Sequence, residues 1–114
     1  LSATYWDQAK ITEARDDFAQ VAMGHAGELE TSMMLGIRPD LVGDYQSAAE
    51  VPFGESFLTA TRGWTMPDRS EPGHIGVPAS ANAEKGETLF KIFTDGTVKL
   101  IGEMRDWDGQ SWDD

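Results

Sequence analysis

The chain has 114 residues, a net charge of −11 and no cysteine. That length suits one compact domain or part of a larger one, and the acidic balance argues against binding to nucleic-acid phosphates and disfavours anionic membranes, both of which run on Lys and Arg. The lack of cysteine excludes a disulfide scaffold and thiolate chemistry and fits a reducing, cytoplasmic setting, and no apolar run approaches the ~18 residues of a membrane span.

The start, Leu1-Ser2-Ala3-Thr4, has neither the basic segment nor the apolar core of a signal peptide. It also lacks an initiator Met, so a mature, trimmed or truncated chain is expected. Residues 4 to 14 hold Tyr5, Trp6, Ala9 and Ile11 and predict a short helical or turn segment. Phe18 to Met23 is apolar enough for a short strand or a buried approach to the loop Gly24-His25-Ala26-Gly27. A helix is expected from Glu28 to Ile37, where Leu29, Met33 and Ile37 recur every fourth residue and Met34 widens the stripe. Arg38-Pro39 ends it, because the residue before proline is pushed out of the helical region.

Residues 43 to 79 hold most of the prolines and many glycines. They read as a long irregular excursion with one short strand at Ser56 to Thr61, and a loop of that length is often functional or interface-forming. The next helix is expected near Ser80, an N-cap after Pro78-Ala79, and continues through Glu84-Lys85-Gly86-Glu87 into Leu89, Phe90 and Phe93. Two readings compete for 89–104. Asp95-Gly96 is a strong hairpin signal, whereas Phe90, Phe93, Thr97, Ile101 and Met104 share one face of a continuous helix. The residues alone lean to the hairpin. The tail from Asp106 to Asp114 is acidic, carries Trp107 and Trp112, and reads as surface or subunit contact.

Gly24 to Ser32 carries the chemistry. It sets an imidazole on a glycine-flanked turn just before a helix. Glycines permit positive φ and close approach of a ligand, and the helix start offers free N–H groups. Imidazole changes charge near neutral pH and can pass a proton to a leaving group. The bland readings stand beside this one: a lone histidine before a helix is often structural, and glutamates in a first turn usually answer the helix dipole.

Gly-His-Ala-Gly-Glu-Leu-Glu-Thr-Ser-Met-Met-Leu, followed by Arg-Pro-Asp-Leu-Val, resembles the signature of the creatininase family. Tyr5-Trp6-Asp7 upstream, and Pro72-Gly73 with Glu84-Lys85-Gly86-Glu87 downstream, resemble two further motifs of that family. The resemblance implies an α/β fold of three layers, with a mostly parallel sheet flanked by helices. Residues 1–114 would form the carboxy-terminal portion of a single domain. It favours the helix for 89–104.

It also implies a metal-dependent hydrolase, a homo-oligomer and commonly a hexamer. Metal-bound water would attack the carbonyl of a small cyclic amide or related cyclic carbonyl substrate. Two divalent ions (zinc, manganese or iron) would be held mostly by residues outside this chain, because the family's Glu-x-His, Asp and Asn-Gly-His ligands are not in it. An amino-terminal half or a second chain is therefore an expected partner. Of this chain's residues, His25 matches the proton relay, Glu30 the glutamate of the Glu-Thr-Ser triplet, and Trp6 a tryptophan that shields substrate. His25 and Glu30 are thus the expected catalytic residues and Glu28 a metal-ligand candidate. The family's second shielding tryptophan is Val21 here, which argues against creatinine itself. Ring opening of a cyclic polyol ketone is an alternative, and a non-catalytic module for oligomer contact is another. His74 faces the site or hydrogen-bonds in a loop. Arg62 and Arg69 are expected at the surface, and Asp106 to Ser111 lacks the glycine that a calcium loop needs at its sixth position.

Overall fold

Two segments repeat apolar side chains at helical spacing, and they form the two helices that carry the fold. The computed structural model describes residues 2–54 and 63–110. In chain order, a 3-10 turn at Tyr5–Gln8 leads to the one-turn helix α1 (Ile11–Ala14) and then to α2 (Glu28–Ile37). A 3-10 turn at Pro39–Leu41, the one-turn helix α3 (Met66–Arg69), a 3-10 turn at Pro78–Ser80 and the long helix α4 (Ala83–Asp106) follow.

α2 starts and stops where the sequence places it. Arg38, held ahead of Pro39, has left the helical region at φ −146° and ψ 66°. Leu29 and Met33 are buried, while Ile37 at the helix end is 58% exposed, so the buried stripe is shorter than its periodicity suggests.

α4 runs unbroken through Asp95-Gly96, so 89–104 is helix and not hairpin. Gly96 serves packing: a Cβ there would lie 2.2 Å from the Gln8 carbonyl oxygen. The N-cap is Asn82, two residues beyond Ser80; its Oδ1 accepts the Lys85 N–H at 2.9 Å. Ser80 sits instead in the preceding 3-10 turn.

Ile11, Leu29, Met33, Leu89 and Phe93 form the core, with Ala9, Phe18, Met23 and Ile92 packed against it. Burying one large apolar side chain contributes about 1.5–3 kcal/mol. α2 and α4 approach tightly at Gly86, where a Cβ would lie 2.1 Å from the Ser32 carbonyl oxygen. At 1.5 Å per residue α4 is roughly 36 Å long and α2 roughly 15 Å. α4 is therefore more than twice as long as α2, and Val98, Ile101 and Met104 in its distal half are exposed. Among the described residues no helix is long and apolar enough to cross a membrane.

The expected parallel sheet with flanking helices is not the architecture of the described residues. Outside the helices their strand-like pairing consists of two isolated antiparallel bridges, His25 with Ile75 and Val51 with Gly76. Proline and glycine explain much of this. Pro52, Pro67, Pro72 and Pro78, with Gly43, Gly54, Gly63, Gly73 and Gly76, interrupt the excursion too often for a ladder to propagate, since proline cannot donate to one. Phe18 to Met23 forms no strand either, and its most buried residue is the polar Gln20. The expected strand at Ser56 to Thr61 lies outside the described residues.

Candidate functional site

The loop before α2 is fixed from both sides. The His25 N–H donates to the Ile75 carbonyl at 3.0 Å, and the Ile75 N–H donates back to the His25 carbonyl at 2.7 Å. Gly76 then exchanges the same pair of bonds with Val51, at 2.8 and 3.1 Å. Residues 75–76 thus lie between the histidine loop and the excursion. Gly24 is needed for this approach, because a Cβ would fall 2.1 Å from the Ile75 carbonyl oxygen.

Ala26 follows at φ 47°, the left-handed region that a side chain disfavours. Two residues of the Glu-Thr-Ser triplet hold it. Its N–H donates to Glu30 Oε2 at 2.5 Å, and its carbonyl accepts from Thr31 Oγ1 at 3.2 Å. Glu30 therefore reaches back across the helix start, as a carboxylate in a first turn does when it satisfies an orphan N–H. Ser32, fully buried, accepts the Asn82 N–H on its Oγ at 3.2 Å and so fixes α4 to α2. The result is an exposed His25 on a backbone hydrogen-bonded at and just after it. Among the described residues its ring has no hydrogen-bond partner.

Glu28 faces inward and is fully buried. Its Oε1 receives Lys85 Nζ at 2.6 Å, and its Oε2 receives the Gln20 N–H at 2.8 Å. Lys85 Nζ also donates to the Ser80 carbonyl at 3.0 Å and lies 5.5 Å from the centre of the Phe18 ring. Both carboxylate oxygens are thus taken by protein donors. Among the described residues no group of three or more His, Asp or Glu side chains is placed to hold a metal ion. The described residues do not by themselves fit a metal centre.

Trp6 projects from the Tyr5–Gln8 turn, 36% exposed and edge-on to Tyr5 at 5.0 Å between ring centres. Tyr5 in turn packs edge-on against Phe93 at 5.5 Å. Burial, with the Glu30 carboxylate as a second cause, pushes the Tyr5 phenol above its ordinary value. Trp6 and Val21 line one depression of about 620 Å³, together with Ala9, Ile11 and Met23. Glu30 lines a separate, largely apolar groove of about 520 Å³ with Tyr5, Met34, Ile37, Phe90 and Phe93.

A family model described as creatinine amidohydrolase matches residues 1–101. The chain belongs to the creatininase family. Comparisons with curated proteins and with solved structures found no match. Membership makes hydrolase the class of activity to be explained, and it gives the fixed loop a chemical setting. The creatininase motif also has a clear structural logic: Gly24 permits the approach to Ile75, Glu30 and Thr31 hold Ala26, and Ser32 anchors α4.

The remaining sequence candidates are settled by their partners. His74 is buried, and its Nε2 hydrogen-bonds the Ala49 carbonyl at 2.7 Å, so it holds the excursion in place. Arg69 donates to the Pro52 carbonyl at 2.5 Å. Arg62 lies outside the described residues. Sequence reasoning missed Gln20 and the pairing of Glu28 with Lys85. The apolar surroundings of Gln20 between Phe18 and Met23 were the available signal for a buried amide.

Proposed function

We propose that this chain supplies the proton-relay and substrate-shielding side of a creatininase-family hydrolase that opens small cyclic amides. In such a hydrolysis water adds to the carbonyl carbon, the C–N bond breaks, and the leaving nitrogen takes up a proton. His25 donates that proton. Its exposed ring is free to meet a substrate, and its backbone is fixed, which is the positioning that proton transfer in a transition state requires. Glu30 acts on the loop, keeping Ala26 in its strained conformation. Trp6 and Val21 are walls of one depression, which His25 does not line, and they would shield the ring there.

The exposed imidazole, carried in the family motif on a backbone bonded to Ile75, supports this reading. The two divalent metals implied by the family resemblance would need ligands from outside the described residues, and Glu28 would have to leave Gln20 and Lys85 to become one of them. Val21 supports a second substrate class. Valine where a tryptophan would shield creatinine leaves a more open wall, which suits a bulkier ring such as a cyclic polyol ketone.

The test is a screen of the intact protein against five- and six-membered cyclic amides and cyclic polyol ketones, with ring-opened product followed by chromatography. Turnover of one class names the substrate family. Binding without turnover of any ring would make the chain a non-catalytic module.

A further inference from the structure

Gln20 is 5% exposed, in a stretch with no regular secondary structure. Its Oε1 accepts the Glu28 N–H at 2.8 Å and the Val77 N–H at 2.9 Å. Its Nε2 donates to the Ala22 carbonyl at 3.2 Å, and its own N–H donates to Glu28 Oε2. One side chain thus joins the approach to the histidine loop, the first residue of α2 and the segment that pairs with His25.

These attachments surround the His25–Ile75 bridge. Ala22 precedes the histidine, Glu28 follows it, and Val77 lies two residues beyond Ile75. Two glycines make room for the amide. A Cβ at Gly76 would lie 2.3 Å from Gln20 Oε1, and one at Gly27 would lie 2.6 Å from it. Lys85 completes the arrangement by balancing the Glu28 carboxylate that receives the Gln20 N–H. Without this amide, the buried N–H of Glu28 and the half-buried N–H of Val77 lose their acceptor, a cost that falls on the bridge between them.

We propose that Gln20 is a positioning residue for His25. It acts through the bridge, fixing the backbone from which the imidazole projects, and it touches no reacting atom. Its bearing on turnover rests on the hydrolase reading above.

The test is amide hydrogen exchange, read residue by residue by NMR, on the intact protein and on Gln20→Met. Methionine fills similar space but cannot accept two N–H groups. The proposal expects exchange at His25 and Ile75 to rise about tenfold or more while Leu89 and Phe93 in α4 keep their rates, the pattern of a local opening. Unchanged exchange at the bridge overturns it, and so does a uniform rise across α4, which would make Gln20 a general stabiliser. If Gln20→Met does not fold, the unaltered protein still decides: the Glu28 and Val77 amides must be protected, and solvent-like exchange at Val77 overturns the proposal. The hydrolase reading fails separately, if His25→Gln leaves turnover intact, and that outcome does not touch the exchange pattern.

Discussion

Lys85 Nζ meets Glu28 Oε1 at 2.6 Å, with the two side chains 7% and 0% exposed. The pair joins the first turn of α2 to the first turn of α4 across 57 residues of sequence. Desolvating both charges is costly, and their mutual attraction with the added bonds to Gln20 and Ser80 offsets that cost. Removing one partner is therefore worse than removing both.

Lys85→Met is expected to destabilise the protein by about 3–5 kcal/mol, because it strands a buried carboxylate. Combining it with Glu28→Gln should recover much of the loss. Equilibrium urea unfolding measures both, and a double variant no more stable than Lys85→Met would contradict the pairing.

Two glycines in α4 should respond in opposite directions. Gly86→Ala drives a Cβ into the Ser32 backbone and is expected to cost about 1–3 kcal/mol or more, as overpacking does. Gly102→Ala meets nothing within 4 Å and should stabilise α4 by up to about 1 kcal/mol through helix propensity. Thermal melts of the two variants check the pair.

Arg15 bonds Asp17 at 2.7 and 2.9 Å and reaches Glu84 of α4 at 3.1 Å. The guanidinium holds the Asp17 carboxyl below its usual value. A depressed folded value means that the carboxylate's contribution is present above the ordinary aspartate value of about 3.9 and is lost as pH falls through the lower folded one. Stability measured down an acid series should therefore decline less steeply in Asp17→Asn than in the unaltered protein. Equal slopes would remove Asp17 from the acid response.

The bounds of α2 were legible because periodicity and a proline agree on them. For α4 the residues and the surroundings disagree: Asp95-Gly96 is good turn chemistry, and only the nearness of Gln8 shows why a glycine stands in the helix. The parallel sheet was expected from resemblance, while the proline and glycine spacing between residues 43 and 79 pointed away from it. Gly24 to Ser32 stood out in the sequence by its glycine-flanked histidine, but the inward turn of Glu28 did not. That turn depends on Gln20 and Lys85, whose proximity is produced by tertiary packing and leaves no local pattern.

The most direct measurement compares turnover by the intact protein and its His25→Gln variant, on the ring substrate selected by screening, with circular dichroism confirming that both are folded. A proton relay at this position predicts a fall in kcat of about 10² or more, the usual size of general acid–base catalysis. A folded variant that opens the ring at the original rate would show that the imidazole takes no part in the reaction.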